Sequence, residues 1–315
     1  MSDSRCRPPP GSPATASTTP TGTAISPTST STNYRPSPRS CTTPRPHPAP
    51  DLRRITVAQP KTDNTLPLRG RTAVVTGASS GIGAATARLL AGRGARVALL
   101  ARREEQLAAL AGQIAADGGR AVVAVADLTD PDSVAGAAER IAADLGRVDL
   151  VVNNAGVMLP SPVTEGQEDE WSRMIDLNLA GALRVVRAFV PDLIAAAEGG
   201  DQADLVNISS DAAHRGFPNF AVYCATKAAV THLSHTLRTE LGPRQVRVTN
   251  IEPGLVKTEL TEHITHPESY ELLTGLTRSM PVLAPEDIAE AVAFTTCQPS
   301  HVNYSQIVVG PTTQV

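Results

Sequence analysis

A doubly wound, single-domain α/β sheet of about seven parallel strands is the fold this 315-residue chain predicts, and three observations predict it. Short Val-rich runs alternate with Ala- and Leu-rich helical stretches from residue 66 onward. The runs are continuously apolar, the pattern of strands buried on both faces and hence of a parallel sheet. The first run ends in a glycine-rich turn that opens directly into a helix.

In chain order the strands are "TAVVTG" (72–77), "ARVALLA" (95–101), "AVVAVA" (121–126), "VDLVVN" (148–153), "DLVNIS" (204–209), "VRVTNI" (246–251) and "QIVVG" (306–310). Between the second and third, a helical pattern places Leu107, Leu110 and Ile114 on one face. The next helix groups Val134, Ala138, Ile141 and Leu145, with Asp130 as N-cap and Pro131 at its first position. Residues 179–197 ("LAGALRVVRAFVPDLIAAA") are apolar around most of a helix, which predicts burial, including against a second subunit. "VYCATKAAVTHLSHTLRTELG" reads as a helix through Leu241. No internal repeat is visible.

Composition excludes several classes. The chain is 41% hydrophobic, enough for a substantial core, and its net charge of −3 gives no footprint for nucleic acid or a membrane surface. No apolar run reaches the roughly 18 residues that span a bilayer, and the start lacks the apolar core of a secretory signal. Cys6, Cys41, Cys224 and Cys297 show no CxxC or disulfide-like spacing, which fits a reducing, cytoplasmic location. Residues 1–65 are crowded with Pro, Ser and Thr and predict disorder. A solvated tail or a misplaced start codon explains them better than a transit peptide, whose amphipathic helix the prolines oppose.

The glycine turn, "VVTGASSGIGAATARLL" (74–90), carries the first chemistry. Gly77 allows a tight turn, Gly81 lets backbone approach a pyrophosphate, and Gly83 lets the helix pack on the strand. The N–H groups around Ser79, Ser80 and Ile82, with the positive helix end, then hold phosphates. The second strand ends at Ala101, where NAD sites place an acid for the ribose 2′-OH; Arg102 and Arg103 follow. Two guanidiniums there predict NADP(H) as cofactor. The alternative is that they only start a solvated helix.

Tyr223 and Lys227 lie four apart and share a helix face. An ammonium there stabilises phenolate and lowers a phenol pKa of about 10 toward neutrality. The phenol then serves as acid or base for a carbonyl or alcohol oxygen during hydride transfer, with the Ser210 hydroxyl holding the same oxygen. The YxxxK spacing alone equally describes an exposed Tyr and Lys.

The set is more specific than its parts. "TGASSGIG", "NNAG" (153–156), Asn178 in "IDLNLAG", Ser210, Tyr223 with Lys227, and "EPG" (252–254) resemble, in order and spacing, the short-chain dehydrogenase/reductase family over residues 66–315. The resemblance implies a Rossmann-type domain with Tyr223 as catalytic acid/base and Ser210 orienting substrate. It implies that Lys227 lowers the tyrosine pKa and holds the nicotinamide ribose, and that Asn178 positions a water in a proton relay. It also implies that Asp127 and Leu128 meet the adenine, and that Asn153 and the following Asn154, Ala155 and Gly156 line the ribose. By the same resemblance, Pro253, Gly254, Val256 and Thr258 are expected to flank the carboxamide. Members are commonly homotetramers or homodimers through the two apolar helices. Within the family, "RVTNIEPG", "TELTEHITHPESYE", "PEDIAEAVAF" and "GPTTQV" resemble clavulanate dehydrogenases (clavulanate-9-aldehyde reductases) and NADP-dependent dehydrogenases of serine and short 3-hydroxy acids.

Residues 157–163, 211–220 and 255–283 are expected to line the substrate crevice, the last as a mobile lid. "HITH" (263–266) has no acid or cysteine cluster around it, so no metal is expected. His214, Arg215, Phe217 and Phe220 either touch substrate or pack their loop, and Cys224 packs a helix. The leading reading is a carbonyl reductase or alcohol dehydrogenase acting on a small molecule, with an aldehyde of secondary metabolism as a candidate substrate. The alternatives are a ketoacyl-type reductase of fatty acid or polyketide synthesis, which needs a basic mouth for an acidic carrier, and a non-catalytic NADP(H)-sensing protein.

Overall fold

The computed structural model describes residues 66–314. The expectations for residues 1–65, including disorder, the start site, Cys6 and Cys41, lie outside the described residues. All seven predicted runs are strands: β1 (Thr72–Thr76), β2 (Arg96–Ala101), β3 (Arg120–Val125), β4 (Leu150–Asn153), β5 (Ala203–Ile208), β6 (Val246–Pro253) and β7 (Gln306–Val309). They form one sheet in the order β3-β2-β1-β4-β5-β6-β7, with every neighbouring pair parallel. The Rossmann-type expectation is met.

Parallel strands need crossovers, and the crossovers cover both faces. Successive strand residues point to opposite sides, so Val74, Ala98 and Val151 enter one core and Val75, Leu99 and Val152 the other. The first core packs against α3 (Pro131–Leu145) and α5 (Ala182–Glu198) through Ile141, Phe189 and Leu193. The second packs against α1 (Gly81–Gly92), α2 (Glu104–Ala116) and α8 (Pro285–Thr296) through Leu90, Leu107, Ile114, Ile288 and Val292. Each fully buried Leu, Ile or Phe contributes roughly 1.5–3 kcal/mol relative to an exposed one. In α3, Asp130 caps as expected, its carboxylate accepting from Asp132 N at 3.0 Å. Ala137 rather than Ala138 is the deeper residue, because the i, i+3, i+7 row from Val134 points most directly at the sheet.

A buried ionic cluster ties the amino-terminal edge of the sheet. Asp204 accepts from Arg247 Nε at 2.8 Å and Nη2 at 2.9 Å, and from Arg71 Nη2 at 2.8 Å. Arg71 also pairs with Asp149, just before β4. The cluster fixes β1, β4, β5 and β6 at the end remote from the crevice.

Strand order reverses between β1 and β4, so the connections leaving their carboxyl ends diverge and open a crevice. Three pieces rise above it. The helix α4 (Glu168–Ile175) runs through a π-helical turn, Asp176–Gly181, into α5. The helix α6 (Ala221–Leu241) carries the Tyr–Lys pair. Within 255–283, a short 3-10 turn (Glu259–His263) precedes α7 (Pro267–Ser279), and Val256 bridges to Leu283 at the base. Among the described residues no helix is long and apolar enough to cross a membrane.

Candidate active site

The crevice is a cleft of about 680 Å³. Its floor is the glycine turn. Gly77 (φ 64°) and Gly81 (φ 52°) occupy the left-handed region, where a side chain is strained. A Cβ on Gly77 would lie 2.9 Å from Asn154 Nδ2. Gly83 faces away from the cleft: a Cβ there would lie 2.3 Å from Gly77 O, so its bareness lets α1 sit on the turn. Ser80 begins α1 with an extended backbone and no capping bond from its side chain. The first-turn N–H groups are therefore open to an anion at the positive helix end. This donor set fits the pyrophosphate of a dinucleotide.

Asn154 locks the turn to β4. Its backbone N–H donates to Thr76 Oγ1 at 2.9 Å and its Nδ2 to Thr76 O at 2.9 Å, while Ala155 N donates to Thr76 Oγ1 at 3.0 Å. Asn154, Ala155 and Gly156 line the cleft. Asn153 does not: it points into the core and donates from Nδ2 to Ala182 O at 3.1 Å. Asp127 and Leu128 line the far end, as do Arg102 and Arg103. Burial pushes Asp127 up, but bonds from Thr129 N and Oγ1, with Arg102 and Arg184 nearby, outweigh it and hold the carboxyl below its ordinary range.

At the other end Ser210 follows β5, and its Oγ accepts from Ala212 N at 3.2 Å and lies 3.4 Å from Pro253 O. Tyr223 and Lys227 are almost fully buried beside it. Lys227 Nζ donates to Ile208 O at 3.0 Å and sits 5.9 Å from the Tyr223 ring centroid. Burial brings the ammonium down from 10.5 to about 8. Burial also pushes the phenol up, with the Ser210 hydroxyl opposing. In the protein alone both groups thus lean toward their neutral forms. In the cofactor-free protein the phenol is governed by desolvation, and the opposing pull comes from the Ser210 hydroxyl.

Asn178 lies behind the cleft, in the π-helical turn. Its Oδ1 accepts from Val157 N at 2.8 Å, and its Nδ2 donates to Val157 O at 2.9 Å and Thr226 Oγ1 at 3.2 Å. It braces the loop after β4 against α6. Pro253, Gly254, Val256 and Thr258 all line the cleft.

Of the residues between serine and tyrosine, Arg215, Phe217 and Phe220 line the cleft. His214 instead bonds the fully buried Glu252 at 2.9 Å, which also accepts from Thr231, Asn250 and Gln306. Cys224 joins the apolar cluster under the cleft. His266 caps α7 by accepting from Ser269 N at 3.2 Å, and no metal-binding cluster occurs among the described residues. The stretch 255–283 lines the cleft as expected, though the sequence reading singled out no apolar side chain in it beyond Val256, and Gln314 escaped that reading altogether. Leu272, Leu276 and Met280 line the cleft from α7 and the residue after it. Their i, i+4, i+8 spacing is the signal that could have found them. Gln314 returns from the chain end, donating to Asp211 Oδ2 at 2.7 Å and accepting from Leu255 N at 2.9 Å; no local signal marks it.

A parallel sheet with an anion-receptive glycine turn at its switch point defines a dinucleotide-binding protein. Residues 71–269 match the family model described as short chain dehydrogenase. An uncharacterized oxidoreductase of Listeria innocua is 39% identical over 249 residues, covering 78% of this chain and 98% of that protein. Two solved structures resemble it along their whole length. The 3-ketoacyl-(acyl-carrier-protein) reductase of Brucella melitensis, complexed with NADH, is 30% identical with a TM-score of 0.68, over 77% of this chain and 97% of that one. A closed serine dehydrogenase complexed with NADP+ is 32% identical with a TM-score of 0.69, over 78% and 96%. The chain belongs to the short-chain dehydrogenase family and is an oxidoreductase of that family.

Proposed function

We propose that this protein is an NADP(H)-dependent carbonyl reductase or alcohol dehydrogenase acting on a small molecule. One observation carries the reading: Ser210, Tyr223 and Lys227 line the same cleft as an uncapped helix start over the glycine turn. A nicotinamide held in the cleft would supply hydride chemistry at the carbonyl or alcohol carbon. The chain handles the proton. Tyr223 donates its phenolic proton to the carbonyl oxygen, and Ser210 holds that oxygen by a hydrogen bond. Lys227 would hold the nicotinamide ribose and stabilise the phenolate, and Asn178, whose side-chain amide is committed to Val157 and Thr226, would hold a water toward Lys227 only through its backbone. Gly77, Ser79, Ser80, Gly81 and Ile82 hold the pyrophosphate, with Gly83 supporting the turn. Arg102 and Arg103 hold the 2′-phosphate.

Tyr223→Phe is expected to abolish turnover while leaving NADPH binding within about twofold. Turnover near the wild-type rate sinks the mechanism. Replacing Arg102 by Ala is expected to raise KM for NADPH far more than for NADH; equal effects defeat the cofactor assignment. The cleft wall contributed by Met158, Phe217, Phe220, Leu273 and Leu276 favours a substrate with an apolar body. Within the family we place the protein with the clavulanate dehydrogenases and the NADP-dependent serine and 3-hydroxy acid dehydrogenases. The lid and C-terminal stretches support this, as does the likeness to serine dehydrogenase. A screen of NADPH oxidation against aldehydes and ketones tests it, and silence toward every carbonyl favours a sensing role. We assign a cytoplasmic homotetramer or homodimer, formed through α5 and α6. A monomer at micromolar concentration by light scattering refutes the assembly, and membrane or secreted fractionation refutes the location.

A further inference from the structure

Arg103 has a partner at every donor nitrogen. Nε donates to Ser79 Oγ at 3.1 Å, Nη2 to Ser80 Oγ at 2.7 Å and Nη1 to Glu259 Oε2 at 2.9 Å. Two of the three partners belong to the glycine turn. The third is the first residue of the 3-10 turn that begins the segment over the cleft. Segment and turn are in close contact beside this pair: a Cβ on Gly81 would lie 3.2 Å from Thr258 Cγ2. The Arg103 and Glu259 side chains are 41% and 44% exposed and both line the cleft. Burial pushes the Glu259 carboxyl up, but the bonds to Arg103 and Ser80 with the nearby positive charge together prevail and keep it below the ordinary carboxylate range. Glu259 is thus an anion at any physiological pH, seated on a guanidinium at the phosphate end of the site.

We propose that Glu259 is a built-in competitor for the 2′-phosphate and thereby a determinant of cofactor affinity and of lid position. A phosphorylated dinucleotide exchanges Glu259 for phosphate on Arg103 and releases the first turn of the lid. A dinucleotide with a free 2′-OH leaves the pair in place. The proposal rests on the reading of Arg102 and Arg103 as the 2′-phosphate site, but not on the chemistry at Tyr223. The physical basis is charge. A carboxylate and a phosphate dianion at one guanidinium repel. The phosphate brings more charge and more acceptor oxygens. A half-exposed ion pair is weak enough to be exchanged.

Two fragments isolate the contact: 2′,5′-ADP carries the 2′-phosphate and 5′-AMP does not. Titration calorimetry with each is run on the full chain and on Glu259→Gln, Arg103→Ala and the double variant. Glu259→Gln is expected to tighten 2′,5′-ADP binding about fivefold and 5′-AMP binding less than about twofold. In the Arg103→Ala background that gain is expected to vanish. In the wild-type chain, hydrogen exchange at residues 259–263 is expected to speed up with 2′,5′-ADP and not with 5′-AMP. Unchanged or weaker 2′,5′-ADP binding by Glu259→Gln overturns the proposal, as does slower exchange at 259–263. A wild-type chain that does not prefer 2′,5′-ADP over 5′-AMP overturns the cofactor reading and the proposal together. A wild-type preference with no effect of Glu259→Gln overturns the proposal alone.

Discussion

Replacing Lys227 by Met is expected to make the cofactor-free protein more stable at neutral pH. Burial lowers the ammonium from 10.5 to about 8, so holding it charged in the fold costs about 3 kcal/mol at pH 7. Methionine removes that cost but also removes the bond to Ile208 O, whose loss is worth roughly 1–2 kcal/mol. The net gain is about 1–2 kcal/mol, or roughly 3–6 °C in Tm for a domain of this size. The pH dependence gives the sharper test. Below about 8 the lysine is protonated in both folded and unfolded chains, and the cost is fully present. Between 8 and 10.5 the unfolded chain binds more protons than the folded one, so wild-type stability climbs with pH. The advantage of Lys227→Met should therefore hold from pH 6 to about 7, shrink from about pH 8, and be reversed by pH 10.5, where only the lost bond to Ile208 O remains. Thermal melts of both proteins across that range measure it, with other titrations cancelling in the difference. A gap that does not change with pH, or a variant that is less stable at pH 7, refutes the account of the buried ammonium.

Three further substitutions probe the scaffold. Gly83→Ala places a methyl 2.3 Å from Gly77 O and forces the turn to move, so NADPH binding by fluorescence titration should weaken by about tenfold or more. Gly136→Ala, within α3 with nothing near its added methyl, should instead stabilise by up to about 1 kcal/mol in urea unfolding. Asp204→Ala leaves Arg71 and Arg247 buried beside no common carboxylate and should cost about 3–5 kcal/mol; a loss under 1 kcal/mol would remove the cluster from the account of the sheet edge.

Strands β1, β2 and β4 were legible because they are buried on both faces and read as nearly unbroken apolar runs, whereas the edge strands β3 and β7 are partly exposed and were legible only from their Val-rich centres. The glycine turn was legible because its constraint is local: Gly83 must be bare whatever packs elsewhere. Legibility failed where direction or distance decides. Asn153 ends β4 and Asn154 follows it, the two side chains pointing to different sides, and composition does not say which faces the cleft. The helix α7 has a narrow apolar stripe among Thr, Ser and Gly, and its Leu272 and Leu276 pattern reads as loop unless counted. Gln314 acts on Asp211 across 103 residues, a contact set by the sheet bringing the chain end back. The resting state of Tyr223 in the cofactor-free protein was not legible for a different reason. Spacing gives proximity, but only the fold gives desolvation, and desolvation is the larger influence on both groups.

That desolvation sets a direction for the chemistry. The raised phenol is protonated throughout the neutral range, and a protonated phenol is the form that reduces a carbonyl. Alcohol oxidation needs the phenolate, which the buried cleft disfavours and which Lys227 supports less above about pH 8, where it begins to lose its charge. The reductive rate with NADPH should therefore stay flat between pH 6 and 9. The oxidative rate with NADP+ should climb by up to about tenfold per pH unit over the same range, as the phenolate fraction grows. Initial rates in both directions on one substrate pair decide it. A reductive rate that falls between pH 7 and 9 would mean that the phenol ionises near neutrality. Proximity of Lys227 would then have beaten burial, and the neutral-leaning pair could not be the resting state from which this site works.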